Sequence, residues 1–370
     1  MKVLICAAGS GGHIYPALSL AQHLQDSNEN AQILFLSSKK ALIQSMFEKK
    51  PYQVFTVDFI SPFRRKGLNP FKFFLKNLGF LLKFNIEAIK VFFLILRSKP
   101  DAVVGFGGII SIAAIIFARL QGIPTLIHEQ NIIPGLANKF ISRVATKVAI
   151  GFKKSKQYFT RDVVFTGNPI RPGMEKIDKS VACDILGLQK DKFTIFVFGG
   201  SQGSKFINKN FIQAITKLSR NSQDNLQIIH ISGAKDISEI TAFYQNLNIN
   251  AKVFSYCANM SVVYSAADLV IGRSGAGTIN EVCFFGKPTI FIPYPYAGGH
   301  QKVNAEFMRE HGAACLLLEN NQAVNHLQQA ISRLIEKKDI LRAMGQKSSE
   351  LFIPGAGAKL ADLVCEMIKA

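Results

Sequence analysis

Acidic residues are scarce in this sequence. It has 25 aspartates and glutamates against 44 lysines and arginines, and its formal net charge is +19 at pH 7. A field of this size attracts polyanions such as nucleic acid, anionic lipid headgroups or phosphorylated metabolites, and the charge alone does not choose among them. The 370 residues are 48% hydrophobic, which excludes a disordered chain and allows two domains with substantial cores.

Cysteine pairs and long apolar runs are lacking as well. The six cysteines lie far apart, with no C-x-x-C pair and no histidine placed as a zinc partner. We therefore expect reduced thiols of a cytosolic protein and no metal site. No stretch reaches 18 uninterrupted apolar residues, so the sequence predicts no transmembrane helix.

The usual nucleotide fingerprints are incomplete. A Walker A motif is missing, and the dinucleotide pattern G-x-G-x-x-G fails in both glycine-rich turns of the chain. Ile14 takes the third glycine position of the first turn, and Ser201 takes the middle position of the second. These departures disfavour NAD, FAD and P-loop enzymes, and with them a nucleotide-binding oxidoreductase.

Short apolar runs alternate with helical patterns, and the alternation starts again after the Pro- and Gly-rich segment 167–173. This order is typical of α/β proteins and predicts two doubly wound units with parallel sheets. We expect domains over 1–166 and 167–357, followed by a short helix over 358–370. The predicted strands cover 2–7, 33–36, 102–104, 125–127, 147–150, 163–165, 193–198, 227–231, 251–254, 269–271, 289–292 and 314–318. The predicted helices of the first unit cover 17–25, 70–97, 111–121 and 135–143.

Each unit has a glycine-rich turn after its first strand, "AAGSGGH" in the first and "FGGSQGSKF" in the second. Glycine lets the backbone approach a ligand closely, and the N–H groups that open the next helix favour an anion. For each of these two turns, the alternative is a tight strand-to-helix connection that binds no ligand. Two such turns, both at strand ends where α/β sheets bind ligands, favour anion sites.

Several motifs occur in one order between Cys6 and Phe307: "GSGGHIYPAL", "PDAVVGFGG", "IHEQNIIPGLANK", "GNPIR", "GGSQGS", "RSGAGTINE" and "HQKVNAEF". In this order the chain resembles the MurG family, the bacterial peptidoglycan N-acetylglucosaminyltransferases of glycosyltransferase family 28. The resemblance implies a GT-B fold, in which two Rossmann-like domains face a central cleft. It also implies an acceptor- and membrane-binding N-terminal domain, a UDP-GlcNAc-binding C-terminal domain, and a last helix that packs back on the N-terminal domain.

The reaction implied by the resemblance is the inverting transfer of GlcNAc from UDP-GlcNAc to the 4-hydroxyl of MurNAc in lipid I, the undecaprenyl-pyrophosphoryl-MurNAc-pentapeptide. Lipid II and UDP are the products, and no metal or other cofactor is expected. The implied location is peripheral, on the cytoplasmic face of the bacterial inner membrane. Implied partners are the anionic membrane surface and proteins of cell-wall synthesis, with no nucleic acid. Other UDP-sugar GT-B enzymes (a glycolipid synthase or a UDP-GlcNAc 2-epimerase) and a membrane scaffold without catalysis are the alternatives.

The resemblance also implies roles for single residues. Arg171 and the turn around Ser201 match phosphate contacts, Glu281 the ribose contact, and Gln301 the contact with GlcNAc. The full set assigned to UDP-GlcNAc is Ser10, Gly11, Gly12, Asn131, Arg171, Ser201, Cys257, Ala276, Gly277, Thr278, Ile279, Asn280, Glu281 and Gln301. The chain departs from the family pattern at Ser10, Ile109, Gly277, Asn280 and His300.

Two residues are candidates for the catalytic base. His13 follows the first glycine turn, where a positive helix terminus favours the neutral imidazole that can accept a proton. A histidine that only binds the lipid pyrophosphate is the alternative. Glu129, in "HEQN", is the rival base.

The segment 70–97 predicts a helix with one basic stripe, since Lys76, Lys83, Lys90 and Arg97 recur every seven residues. Apolar residues flank the stripe, and Arg64, Arg65 and Lys66 lie just before the segment. This pattern favours binding to anionic lipid, with a core helix whose lysines reach solvent as the alternative.

Overall fold

The computed structural model of the chain describes residues 1–9, 11–48, 50–59, 70–200 and 203–370. Ser10, Ser201 and the basic group Arg64, Arg65 and Lys66 lie outside the described residues. The chain divides into two compact units. Unit 1 is Met1–Pro172 with Ile353–Ala370, and unit 2 is Gly173–Phe352.

The described part of unit 1 forms a seven-stranded parallel sheet in the order β3-β2-β1-β4-β5-β6-β7. The strands are β1 (Lys2–Cys6), β2 (Gln32–Ser38), β3 (Gln53–Val57), β4 (Ala102–Gly105), β5 (Thr125–Glu129), β6 (Lys147–Ile150) and β7 (Val164–Phe165). The helices are α1 (Gly11–Ser27), α2 (Ala41–Gln44), α3 (Pro70–Ser98), α4 (Gly108–Leu120), α5 (Leu136–Ile141) and, at the end of the chain, α15 (Ala356–Lys369), with a 3₁₀ helix at Lys153–Tyr158.

The described part of unit 2 forms a six-stranded parallel sheet in the order β10-β9-β8-β11-β12-β13. Its strands are β8 (Phe193–Phe198), β9 (Leu226–Ile231), β10 (Asn250–Phe254), β11 (Leu269–Gly272), β12 (Thr289–Phe291) and β13 (Ala314–Leu316). Its helices are α6 (Lys179–Leu186), α7 (Lys205–Ile215), α8 (Arg220–Asp224), α9 (Ile237–Asn246), α10 (Met260–Ala266), α11 (Ala276–Phe285), α12 (His300–Glu310), α13 (Ala323–Glu336) and α14 (Lys338–Glu350), with a 3₁₀ turn at Ala297–Gly299. The prediction of two doubly wound parallel α/β units is confirmed.

Both faces of each sheet are apolar because both are covered by helices, as parallel sheets require. In unit 1 one face packs against α1 and α15, and the other against α3, α4 and α5. Gly357 allows the close approach of α15 to α1, since a Cβ there would lie 2.6 Å from Cε1 of His23. The last helix thus braces α1, the helix that follows the first glycine turn.

The structure differs from the sequence prediction at several elements of unit 1, among them the short helix α2, which was not predicted. The strand β3 was not predicted, because it is an edge strand whose residues are mostly half-buried and show no continuous apolar run. The helix α1 begins at Gly11, whereas the helical pattern of the sequence covers only 17–25, because the first turn consists largely of glycines and His13 rather than of periodic apolar residues.

The strand order places a switch point in each sheet. In unit 1 the connections leave β1 and β4 in opposite directions, and in unit 2 the same happens at β8 and β11. Ligands of open α/β sheets bind beyond the carboxyl ends of the strands at such points. The two glycine-rich turns follow β1 and β8, so both lie at switch points.

Candidate active site

His13 lies at the switch point of unit 1, between the turn after β1 and the turn after β4. A Cβ on Gly9 would lie 3.5 Å from Nδ1 of the ring, and a Cβ on Gly107 would lie 3.4 Å from Nε2. Gly9 and Gly107 have φ values of 99° and 103°, a region that favours glycine. The glycines of both turns therefore make room for the imidazole.

The hydrogen bond of His13 fixes which ring nitrogen holds the proton. Nδ1 lies 2.5 Å from the carbonyl oxygen of Ala8, and a carbonyl only accepts, so Nδ1 donates. In the neutral ring Nε2 then carries the lone pair. That atom faces Gly107, the N-cap of α4. A half-buried imidazole with an available Nε2 can act as a proton acceptor.

Glu129 lies at the end of β5 and is 2% exposed. Its Oε1 accepts from the backbone N–H of Asn131 at 2.8 Å and from Nδ2 of Asn131 at 3.2 Å. Its Oε2 accepts from the N–H of Gly135 at 3.0 Å and from Nδ2 of Asn138 at 2.9 Å. A carboxylate offers about four acceptor positions. All are engaged, so the geometry favours a role in holding the 130–138 loop over a role as base.

Asn131 and Asn138 are the two side chains that this loop presents beside Glu129. Asn131 also accepts at its carbonyl oxygen from Ser155, at 3.0 Å. Asn138 is buried, and its Nδ2 would lie 3.5 Å from a Cβ on Gly107, which places it next to the turn that holds His13. The structure thus brings His13, Glu129 and Asn131 to one end of the unit 1 sheet.

The segment "GNPIR" is fixed to the same sheet end by a buried histidine. His128 donates from Nε2 to the carbonyl oxygen of Gly167 at 3.0 Å and accepts at Nδ1 from Nε2 of Gln130 at 3.1 Å. Asn168 donates from Nδ2 to the carbonyl oxygen of Gln130 at 3.0 Å. Burial lowers the pKa of His128 to about 4, so the ring is neutral at pH 7. These bonds fix the backbone that leads to Arg171.

Arg171 belongs to unit 1, and its guanidinium lies over the ring of Tyr15, with Cζ 3.7 Å from the ring centroid. Tyr15 is on α1, two residues after His13. The sequence places Arg171 on a linker from which it can swing onto a phosphate. In the structure the side chain is instead held against an aromatic face.

The switch point of unit 2 is a tight glycine turn. A Cβ on Gly199 would lie 2.3 Å from the backbone nitrogen of Ser204, and a Cβ on Gly203 would lie 2.3 Å from the carbonyl oxygen of Ser232. Gly200 and Gly203 have positive φ values of 94° and 73°. At Gly199 and Gly203 a Cβ would collide with backbone atoms, so no other residue fits at these two positions without moving the backbone. Ser204 closes the turn as the N-cap of α7, where its Oγ accepts from the N–H of Ile207.

Arg273, which follows β11, ties this turn to two other strand ends. Its guanidinium donates from Nη2 to Oγ of Ser204 at 2.8 Å and from Nη1 to the carbonyl oxygen of Ile292 at 3.0 Å. It pairs with Glu319 at 2.5 Å and lies 5.5 Å from the ring centroid of Tyr294. The sequence pattern did not single out Arg273. The sequence feature that could have indicated Arg273 is its position as a single charged residue between an apolar strand and a glycine-rich turn.

The motifs "RSGAGTINE" and "HQKVNAEF" are joined by hydrogen bonds. Ser274 donates from Oγ to the carbonyl oxygen of Gln301 at 2.7 Å, and Asn304 donates from Nδ2 to the carbonyl oxygen of Ser274 at 3.2 Å. Gly275 is the N-cap of α11, and the hydroxyl of Ser274 is used across the sheet end instead. The Oε1 atom of Gln301 accepts from the N–H of Tyr294 at 2.9 Å, which fixes its amide.

Glu281 lies on α11 and is 7% exposed, so it is not the exposed surface glutamate that a lone helix pattern suggests. Its Oε2 accepts from the hydroxyl of Tyr264 at 2.9 Å. The five residues before it form the first turn and a half of the same helix: Ala276, Gly277, Thr278, Ile279 and Asn280. Their helix opens at the unit 2 switch point. Tyr264 is a second functional candidate that sequence reasoning missed, since nothing in the sequence relates α10 to α11.

Cys257 lies in the segment between β10 and α10. Its thiol donates to the carbonyl oxygen of Asn259 at 3.4 Å. Gly11 and Gly12 are the first two residues of α1 and so belong to the unit 1 switch point. Among the described residues no three His, Cys, Asp or Glu side chains are grouped as a metal ion requires.

The helix α3 presents an apolar face to solvent over the part whose side chains are described. Its exposed apolar residues are Ile86, Ile89, Phe93 and Leu96, whereas Val91 and Ile95 pack against the sheet. Within the described residues no helix has the length and hydropathy needed to cross a bilayer.

The basic stripe of α3 is partly neutralised. Lys83 pairs with Asp58 and Lys90 pairs with Glu87, both at 2.7 Å. These lysines hold the pKa values of both carboxyls below their usual range. The side chain of Lys76 lies outside the described residues. The exposed apolar face, rather than the stripe, is the stronger feature of this helix.

Comparison with known proteins agrees with this geometry. The glycosyltransferase family 28 N-terminal domain matches residues 3–150, and the glycosyltransferase family 28 C-terminal domain matches residues 194–361. Together these two models cover most of both units.

Relatives match over their full length. The chain is 35% identical over 372 residues to the UDP-N-acetylglucosamine--N-acetylmuramyl-(pentapeptide) pyrophosphoryl-undecaprenol N-acetylglucosamine transferase of Thermoanaerobacter sp., with 98% of this chain and 99% of the relative aligned. The Bacillus subtilis protein of the same name is 32% identical, with 100% of both chains aligned. The crystal structure of MurG from Acinetobacter baumannii superposes with a TM-score of 0.77 at 26% identity, covering 99% of each chain. The chain belongs to glycosyltransferase family 28, whose members have the GT-B fold.

Proposed function

We propose that this protein transfers GlcNAc from UDP-GlcNAc to the 4-hydroxyl of MurNAc in undecaprenyl-pyrophosphoryl-MurNAc-pentapeptide, giving lipid II and UDP. The observation that carries the proposal is the position of the two glycine-rich turns. Both lie at the switch points of their sheets, with His13 over one and the segment 273–281 beside the other. The names of the full-length relatives supply the substrates.

The donor belongs to unit 2 in this proposal. Loss of UDP builds negative charge on the pyrophosphate, and fixed hydrogen-bond donors stabilise such charge. The first N–H groups of α11, beside the glycines that follow β8, are suited to this role. The family resemblance assigns a phosphate contact to Arg171 as well. Glu281, oriented by the Tyr264 hydroxyl, accepts from the ribose hydroxyls. Gln301 contacts the GlcNAc.

The acceptor belongs to unit 1. In this proposal the turns at Gly11 and Gly107 receive the lipid pyrophosphate rather than UDP-GlcNAc, since both turns open helices of unit 1. Nε2 of His13 takes the proton from the MurNAc 4-hydroxyl as its oxygen bonds to C1 of GlcNAc. The bond from C1 to the UDP oxygen breaks at the same time, and the electron pair leaves with UDP. Glu129 positions the loop that carries Asn131 and does not receive the proton.

Membrane attachment is the second part of the proposal. The proposed acceptor is lipid-linked. The exposed apolar face of α3 is suited to lie in the headgroup region of a membrane, and the same helix carries Lys76, Lys83, Lys90 and Arg97. We therefore place the protein peripherally on the cytoplasmic face of the bacterial inner membrane. Contacts with other cell-wall synthesis proteins are a further expectation of this location.

A transfer assay tests the proposal. The purified full chain is incubated with labelled UDP-GlcNAc and a lipid I analogue, and both UDP and the labelled disaccharide lipid are measured. We expect equal amounts of the two products, and no product without the acceptor analogue. Conversion of UDP-GlcNAc into its 2-epimer, or release of UDP without a disaccharide lipid, would contradict the proposal.

A further inference from the structure

Tyr15 and Arg171 form a stacked pair in unit 1. The Arg171 Cζ atom is 3.7 Å from the Tyr15 ring centroid, whereas the other contacts of this kind in the described part of the chain measure 5.3 to 6.0 Å. Arginine stacks its planar guanidinium on aromatic faces, and the ring quadrupole attracts its charge. The short distance indicates a guanidinium lying on the ring rather than passing near it.

Both sides of the pair are held by the backbone around them. A Cβ on Gly11 would lie 3.0 Å from Cε2 of Tyr15, so a glycine at this position leaves room for the ring. On the other side, His128 and Asn168 fix the segment that leads to Arg171. Arg171 also precedes Pro172, which restricts its backbone to extended conformations. The pair is therefore built into the first turn of α1 and into "GNPIR".

We propose that Tyr15 is a positioning residue, which holds the Arg171 guanidinium in place for the UDP pyrophosphate. The inference rests on the proposed phosphate contact of Arg171. An arginine that is free in solution loses rotamer freedom when it binds a phosphate, and a stacked arginine has already lost it. Tyr15 would thereby strengthen the binding of the donor phosphate. It also connects that contact to α1, whose first turn carries His13.

A packing role is the competing explanation for Tyr15, because its ring also lies beside the core of unit 1. Packing and positioning differ in what they affect. Loss of packing lowers the free energy of unfolding and changes the affinity for all ligands by a similar factor. Loss of positioning weakens only those ligands that carry the phosphates which Arg171 contacts.

Titration calorimetry of the full chain with UDP and with uridine separates the two roles. We expect Tyr15→Leu to weaken UDP binding about tenfold, in line with a desolvated cation–π contact, and to change uridine binding less than twofold. Tyr15→Phe, which keeps the ring, should recover most of the UDP affinity. The double variant Tyr15→Leu/Arg171→Ala should bind UDP as weakly as Arg171→Ala alone, because Tyr15 acts through Arg171.

Tyr52→Leu is the matched control, since it removes a partly buried tyrosine of unit 1 that packs on Phe35 at 5.1 Å. It should lower stability without changing the UDP affinity. If Tyr15→Leu does not fold, Tyr15→Met is used in its place, because methionine keeps a side chain of similar length without the ring. The positioning role is overturned if Tyr15→Leu binds UDP as tightly as the wild type while Arg171→Ala binds UDP more weakly. Additive losses of UDP affinity in the double variant would overturn it as well. Unchanged UDP affinity in Arg171→Ala instead contradicts the proposed function of Arg171, and the inference falls with it.

Discussion

The Oε2 atom of Glu129 accepts a hydrogen bond from Nδ2 of Asn138 at 2.9 Å, and this bond closes the loop between them. Three further donors reach the same carboxylate, two from Asn131 and one from Gly135. A base needs a free lone pair to receive a proton. The carboxylate of Glu129 holds its loop with the lone pairs that a base would use.

Glu129→Gln tests this assignment. The amide brings two N–H donors to a place where donors already converge, so at least one buried hydrogen bond is lost. We expect the free energy of unfolding to fall by about 1–3 kcal/mol. Turnover should fall mainly because the loop is displaced, together with a higher KM for the acceptor. Urea unfolding and steady-state kinetics measure both effects. A variant of wild-type stability and acceptor KM that has lost its turnover would make Glu129 the base.

The second prediction concerns donor binding by Glu281. Glu281→Ala should weaken UDP binding by about 1.5–3 kcal/mol, the cost of a lost hydrogen bond to a charged group. Tyr264→Phe should weaken it less, by about 1 kcal/mol, because it removes only the hydroxyl that orients Oε2. Tyr244→Phe, at another buried tyrosine of unit 2 whose hydroxyl bonds to His230, is the control and should leave UDP affinity unchanged. An unchanged dissociation constant for Glu281→Ala would remove Glu281 from the donor site.

Acid should destabilise the fold through two buried histidines. Burial lowers the pKa of His128 to about 4 and that of His230 to about 3. The unfolded chain binds a proton near pH 6.5, so stability is full above that pH and declines as the pH falls towards the lower folded values. Each histidine should cost about 2 kcal/mol between pH 7 and pH 5.

Urea unfolding at the two pH values measures this loss. His230→Gln should be less stable at pH 7 but should lose less on acidification, whereas His326→Gln, at an exposed position, should keep the wild-type difference. Equal losses in the wild type and in His230→Gln would show that the buried ring does not carry the pH dependence.

The apolar face of α3 gives a prediction on membrane binding. Ile89→Ser combined with Phe93→Ser should weaken binding to anionic vesicles roughly 10- to 100-fold, since each side chain contributes on the order of 1 kcal/mol or more when it enters the membrane interface. Binding should also weaken with salt. Replacing Lys76, Lys83 and Lys90 by Glu should release the protein as well, but Lys83 and Lys90 pair with acids in the structure, so that variant also disturbs the helix.

Ile185→Ser is the matched control, because Ile185 is an exposed isoleucine on α6 of unit 2. Co-sedimentation with vesicles is the measurement, and UDP affinity checks the fold. Normal co-sedimentation of the double variant would make the α3 face an ordinary solvated surface.

Much of the fold follows from the sequence because apolar runs and glycine turns are local signals. The strands that begin at Lys147 and Phe193 match their predicted bounds, since both are apolar runs bounded by polar residues or turns. The edge strand β3 gives no such signal, because only one neighbour and part of one face bury it. The periodic pattern marks α1 only from residue 17, because helix propensity disfavours the glycines of its first turn.

The site was predictable as a set of segments but not as a set of contacts. The motifs placed His13 and Glu129 near strand ends, and Glu281 and Gln301 in segments that follow strands. They did not reveal that Ser274 bonds to Gln301, that Tyr264 bonds to Glu281, or that Arg171 lies on Tyr15. Each of these pairs joins residues far apart in the chain, and one sequence holds no record of such distances.

The saturated turnover of His13→Ala, measured with UDP-GlcNAc and a lipid I analogue, tests most directly whether the unit 1 switch point carries the chemistry. General base catalysis typically contributes about 10²–10⁴-fold, so we expect turnover to fall by that factor while the KM for UDP-GlcNAc changes little. Urea unfolding serves as the check that the variant is folded. A folded His13→Ala enzyme with near-normal saturated turnover and a raised KM for the lipid acceptor would contradict the base assignment and leave His13 as a phosphate ligand.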